Sequence, residues 1–227
     1  MLIGQLVISP GGRGKAASGR LYGLPVLRAE TDPGGFWGAH RLRRAARGLR
    51  RGGVLRVLTP PDFDSWPALA GCGLRPVETE RFVRAQSVSL ALAALQRQGL
   101  VPGRSTVALR GLRADRDMAR TAAALCPLVR GLVIDAPRGG GELALWLRRE
   151  FGVPILPEGE RGHAALAFQE GCPIPEEDPL ELWGPRPRLA GLRLSAPELK
   201  ETDRERLPLL AALWEGGKLA PQDIKIT

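Results

Sequence analysis

Residues 105 to 158 read as strand, helix, strand, helix, strand with only short turns between them. "STVALRG" (105–111) is followed by "ADRDMARTAAALC" (114–126), "RGLVIDAP" (130–137), "GGELALWLRREFG" (140–152) and "VPILPE" (153–158). Parallel neighbours need a crossover between them, and right-handed crossovers lay their helices on the sheet faces. Short apolar strands alternating with helices therefore predict an α/β protein with a mainly parallel sheet, arranged as a three-layer sandwich. The same alternation begins earlier, with "VLRVLTP" (54–60), "DFDSWPALAGC" (62–72), "GLRPVE" (73–78) and a long helix over 81–99. One sheet using strands at 54–58, 106–110, 131–135 and 153–156 is the expectation.

The segment ahead of this core has a different character. Residues 2–8 and 20–29 read as strands, the second carrying Pro25 and so suited to a sheet edge. The glycine-rich loop between them makes a β-hairpin. In "FWGAHRLRRAARGLRRGG" (36–53), Ala39, Leu42, Ala45, Ala46 and Leu49 recur at helical spacing and Gly52-Gly53 supplies a stop. Arg43, Arg44, Arg47, Arg50 and Arg51 then share one sector of roughly 120° opposite the apolar stripe.

Past the core, "HAALAF" (163–168) reads as a strand and the proline-rich "EGCPIPEEDP" as loop, with "PEED" a solvated acidic patch. "TDRERLPLLAALWEGG" (202–217) reads as an apolar helix capped at Thr202 or Asp203, and "DIKIT" as a closing strand. The domain plan is a basic hairpin-plus-helix segment (1–53), an α/β core (54–158) and a C-terminal extension (159–227).

Residues 1–56 hold eleven basic and two acidic residues, which accounts for the whole net charge of +9. Lysine stands only at positions 15, 200, 218 and 225, and asparagine is absent, so a GC-rich coding sequence accounts for part of the arginine excess. The position of the charge is the more telling fact, because it predicts a basic face on a neutral body. Cys72, Cys126 and Cys172 are odd in number and far apart, which offers neither a disulfide framework nor a zinc ribbon. With no apolar run long enough for a bilayer and a start, "MLIGQLVISP", that lacks secretory features, a cytoplasmic protein without a membrane partner is expected.

Several stretches invite a chemistry. "LVISPGGRGKAASGRLYG" (6–23) has the glycines and lysine of a phosphate loop. Aligned on Gly14-Lys15, however, it puts Ser9 at the first glycine and Ala16 at the metal-holding hydroxyl, and no helix follows. What remains is a basic loop offering Arg13 and Lys15, beside the arginine face, to an anion. Phe36, Trp37 and Tyr22 would add stacking for single-stranded nucleic acid if exposed, although core positions are the commoner fate of aromatics. The acidic turns at Asp62 and Asp64 and at Asp115 and Asp117 precede helices and suit capping; paired carboxylates at strand ends also suit Mg²⁺. "APRGGGE" (136–142) leads from strand to helix with Arg138 beside Gly139, Gly140 and Gly141. His40 and His163 have no partner at a metal or triad spacing.

"VALRG" followed by "LVID" resembles the Rossmann arrangement, with Gly111 ending one strand and Asp135 ending the next. That resemblance implies a pyrophosphate over the first turn and a ribose on Asp135. Arg113 and Asp115 stand where the second and third glycines belong, which argues against a standard NAD(P) site.

The leading expectation is a protein that binds a nucleotide or phosphorylated small molecule at the strand ends, through Gly111, Asp135, Arg138, Gly139, Gly140 and Gly141. The cofactor is unknown, and Asp115, Asp135 and His163 are the catalytic candidates if there is a reaction. One rival is a non-enzymatic regulatory protein whose anion-binding residues Arg13, Lys15, Arg43, Arg44, Arg47, Arg50 and Arg51 meet nucleic acid or an acidic partner. Another is a degenerate Rossmann domain acting through protein contacts, with the C-terminal helix as a homodimer interface.

Overall fold

A computed structural model describes residues 2–227. Among them are seven α-helices and twelve short strands in an α/β arrangement, divided into two compact units. Residues 2–78 with 196–224 make the first unit, and residues 79–195 with 225–227 the second. No helix among the described residues is long and apolar enough to cross a membrane.

The first unit is built on a mixed five-stranded sheet A, in the order β2-β3-β1-β4-β5. Its strands are β1 (Ile3–Ile8), β2 (Arg13–Leu21), β3 (Leu24–Thr31), β4 (Arg56–Leu58) and β5 (Arg75–Pro76). The expected hairpin is displaced. Strands β1 and β3 lie parallel, and the glycine-rich stretch is itself the strand β2, which pairs antiparallel with β3 through a turn at Tyr22-Gly23. Both turn residues have positive φ, 49° and 78°, the primed hairpin geometry that matches strand twist. β3 is consequently an interior strand and β2 takes the edge; Pro25 is tolerated because it sits at the hairpin end of β3.

Helix α1 (Gly38–Arg51) buries Leu42, Ala45, Ala46 and Leu49 against Leu6, Ala29 and Val57 of sheet A. Gly14 is needed at the crossing, since a Cβ there would stand 2.7 Å from the Arg41 carbonyl oxygen. Helix α2 (Trp66–Ala70) joins the same layer through Leu69 and Trp66. Helix α7 (Leu207–Glu215) starts later than expected, because Asp203 is engaged by Arg206 and by the Tyr22 hydroxyl, at 2.7 Å each. Leu209 to Leu213 of α7 are buried.

The second unit holds sheet B, five parallel strands in the order β10-β9-β6-β7-β8. They are β6 (Thr106–Arg110), β7 (Gly131–Asp135), β8 (Ile155–Leu156), β9 (Ala164–Ala167) and β10 (Leu180–Glu181). Helices α5 (Arg116–Leu125) and α6 (Gly140–Phe151) are the crossovers read from the sequence, and α4 (Ser87–Arg97) packs beside α5. The helix expected over 81–99 breaks at Gln86 into α3 (Glu80–Ala85) and α4; there the backbone leaves helical geometry, and the next residue, Ser87, is hydroxyl-bonded to Thr121 of α5 at 2.6 Å. A two-stranded ribbon of β11 (Leu194–Ser195) and β12 (Lys225–Ile226) completes the unit.

One expectation is corrected by strand pairing. Residues 54–58 do not share a sheet with 106–110: β4 pairs with β1, Gly4 opposite Val57, and with β5. The alternation of elements is the same whether strands join one sheet or two, so periodicity alone could not separate them.

Candidate functional site

Ligands of open parallel sheets sit at the strand C-terminal ends, where the chain reverses its direction of travel across the sheet. In sheet B that place lies between β6 and β9, because the chain runs outward from β6 to β8 and returns to the other side of β6. One of the protein's own side chains reaches across it. Gln169, just after β9, reaches over the β6–α5 turn, and its Oε1 accepts the backbone N–H groups of Leu112 and Arg113 at 2.8 and 3.0 Å. Its Nε2 donates to the Arg113 carbonyl and to Asp115 Oδ2. Those two N–H groups are the donors a pyrophosphate would need. A Cβ on Gly111 would meet Met118 Cε, the flexible end of a side chain of α5, at 2.8 Å.

Asp115 caps α5 by accepting the Met118 N–H at 2.9 Å, and its other oxygen and Asp117 both face the Arg84 guanidinium. A single cation thus bridges the acidic pair considered for Mg²⁺, and it also pairs with Glu80 at 2.7 Å. Among the described residues no three His, Cys, Asp or Glu side chains are grouped to hold a metal ion.

Arg110, the last residue of β6, is 0% exposed. Its guanidinium donates to Asp135 at 2.6 Å, to Glu176 at 2.5 and 3.3 Å, and to the Glu160 carbonyl at 2.6 Å. Asp135 is therefore paired, through one carboxylate oxygen, with a buried cation. Glu176 belongs to the "PEED" segment read as solvated; it is nearly buried because a guanidinium at the end of a central strand needs a countercharge. Cys172 lies in the same proline-rich stretch, and burial pushes its thiol pKa up.

His163 is at the opposite end of the sheet, its Nδ1 accepting the Thr106 N–H at the start of β6. Asp115, Asp135 and His163 are accordingly not brought into one site. The loop 136–142 is explained locally. Gly139 has φ 79° at the N-cap of α6, Gly140 packs against Ala136, and the Arg138 carbonyl accepts the Ala114 N–H. The Arg138 and Arg113 backbones form an isolated bridge.

The first unit presents a different surface. Arg43, Arg44, Arg47, Arg50 and Arg51 are all exposed on α1, and among the described residues none of them forms an ion pair or side-chain hydrogen bond. Arg41 differs, being bonded to the carbonyls of Asp32 and Gly34. Phe36 and Trp37 are not core residues. They are 93% and 62% exposed, meet edge to face with centroids 5.3 Å apart, and Trp37 in turn contacts the His40 ring at 6.2 Å. Positions 37, 40, 44, 47 and 51 follow a three-four spacing, which keeps them on one stripe of the helix. The stripe runs about 21 Å, at 1.5 Å per residue, from aromatic rings to guanidinium groups.

Arg13 and Lys15 do not join that stripe. They line a shallow hollow with Arg28 and Glu30, whereas Gly14 and Ala16 of β2 face α1. The sheet stands between the two cationic sets. Tyr22 is likewise elsewhere, bonded to Asp203.

No protein-family model and no curated protein matches this chain. The roles of Gln169, Glu176 and Arg84 had no sequence signal, because each depends on partners 31 to 66 residues away. The exposure of Phe36 and Trp37 did have one, in their place between "DPGG" and the helix.

Proposed function

We propose that this protein is a non-enzymatic single-stranded nucleic-acid-binding protein that uses the α1 stripe of its first unit. The observation that carries the reading is one helix face on which exposed, unpaired arginines continue into an exposed Phe36–Trp37 pair. Guanidinium groups track phosphates, and aromatic faces stack bases without regard to sequence. An acidic protein partner would use the arginines but has no need of the exposed rings. Three free cysteines suit a reducing, cytoplasmic setting.

The second unit supports the non-enzymatic part of this reading. We infer a Rossmann-like domain, from its strand order and crossovers, whose dinucleotide crevice is crossed by Gln169 and whose ribose-binding carboxylate is paired with Arg110. At the β6–α5 turn the Leu112 and Arg113 N–H groups are already engaged by Gln169, which disfavours a pyrophosphate there.

The test is fluorescence anisotropy with short single strands at about 50 and 200 mM salt. Five arginine–phosphate contacts at a slope of about −0.7 each predict a loss of roughly a hundredfold over that range. Arg44→Ala, Arg47→Ala and Arg51→Ala together should flatten the slope by about 2, and Trp37→Ala should weaken binding about tenfold with little change in slope. Binding that ignores salt, or survives the triple substitution unchanged, overturns the reading. So does tight binding to an acidic polypeptide with none to a nucleic-acid strand.

A further inference from the structure

Beside the arginine stripe, an open cleft of about 630 Å³ lies between α1 and α2, within the size range of small-molecule sites. Arg43 and Arg47 form one wall, Asp64 and Ser65 stand at another, and Ala68 and the half-buried Cys72 contribute apolar surface. Opposite charges that share a cleft normally pair. Here they do not: among the described residues neither guanidinium forms an ion pair, and the Asp64 carboxylate accepts from the Ser65 hydroxyl alone, at 3.0 Å on Oδ1. A carboxylate can accept about four hydrogen bonds, so Asp64 retains most of its capacity.

We propose that this cleft is a base-recognition subsite that takes a guanine nucleotide, its phosphate on Arg43 and Arg47 and its base edge on Asp64. The inference rests on the single-strand reading for the chain that delivers the nucleotide. Two cations and one acceptor carboxylate call for a ligand with an anion at one end and N–H donors at the other. Guanine offers two adjacent donors, N1–H and the exocyclic amino group, matched to the two oxygens of a carboxylate. Uracil and thymine offer one N–H flanked by carbonyl oxygens, which a carboxylate repels. Base edges of this kind are free in single strands.

Cys72 reports on the cleft directly, because Cys126 and Cys172 are buried. The experiment is iodoacetamide alkylation of the intact protein, read at Cys72 by mass spectrometry, with millimolar GMP or UMP. GMP should slow the reaction about fivefold and UMP less than about twofold, and Asp64→Asn should remove the difference. The side-chain carbonyl that Asp64→Asn introduces still accepts the Ser65 hydroxyl, so the local turn is preserved. In anisotropy, a strand alternating guanine and thymine should bind about tenfold tighter than an equal-length oligothymidylate, and Asp64→Asn should abolish that preference while sparing oligothymidylate binding. Equal protection by GMP and UMP, or GMP protection that persists in Asp64→Asn, overturns the subsite. If oligothymidylate binds with the expected salt slope and GMP does not protect Cys72, the subsite alone falls. If GMP protects Cys72 but no strand binds, the interface falls and the cleft stands as a mononucleotide site.

Discussion

Replacing Glu176 with alanine leaves the Arg110 guanidinium at the end of a central strand with fewer partners than its burial requires. Arg110 has no exposed surface, and Glu176, whose side chain is only 8% exposed, supplies contacts at 2.5 and 3.3 Å. Breaking a buried ion pair by removing one partner costs about 3 to 5 kcal/mol. Asp135 and the Glu160 carbonyl still engage the guanidinium, which sets the expectation at the lower end, about 3 kcal/mol. With a urea m-value of about 2 kcal/mol/M, the midpoint should fall by about 1.5 M, measured by circular dichroism. Arg110→Met with Glu176→Leu should return to within about 1 kcal/mol of the parent, since apolar replacement of both partners removes the uncompensated charge. A loss below about 1 kcal/mol for Glu176→Ala alone would mean that the guanidinium reaches solvent, and the account of the strand end would fail.

Tyr22 is the sole tyrosine, so its ionisation can be followed by absorbance without interference. Burial, then the hydrogen bond to Asp203, raises its pKa above 10.0; its contribution to stability is complete below pH 10 and lost as pH rises through the higher native value. Asp203→Asn should move the titration midpoint down toward 10.0. A midpoint unchanged by that substitution would refute the link. Burial acts to raise the Asp203 pKa, but the Arg206 and Tyr22 hydrogen bonds outweigh it and the net shift is downward, so its stabilisation is lost as acidification passes below the ordinary carboxylate value. Gln169→Ala should speed amide exchange at Leu112 and Arg113 while leaving Phe168, which donates to the Arg110 carbonyl, protected; equal exchange before and after would show that the crevice is not held by that side chain.

Local patterns were legible wherever the partners are near in sequence. The spacing of Leu42, Ala45, Ala46 and Leu49 determines which face of α1 is buried and therefore which arginines are exposed. Strands β6 and β7 fall where their apolar runs end in Arg110 and Asp135. β2 carries a weak local signal because Gly14 and Gly19 dilute its strand character and its alternation is broken by a bulge between Arg13 and Ala16. Assignment of β4 to sheet A depends on pairing with a strand some fifty residues earlier, which no local window contains. The candidate site divides in the same way: the arginine face follows from helical period, while the reach of Gln169 across the crevice and the burial of Glu176 depend on how distant loops return over the sheet.

The edges of sheet A have a consequence of their own. A free strand edge offers unpaired N–H and C=O groups to any other strand, including one from an identical molecule. β5 is only two residues long and ends in Pro76, which has no N–H to give. β2 is nine residues long, and it carries Arg13, Lys15 and Arg20 exposed along it. Edge-to-edge joining of two copies through β2 would set these cations against their own duplicates. The glycine-rich stretch that resembles a phosphate loop thus guards the fold against fibre-like self-pairing, whatever the helix behind it binds.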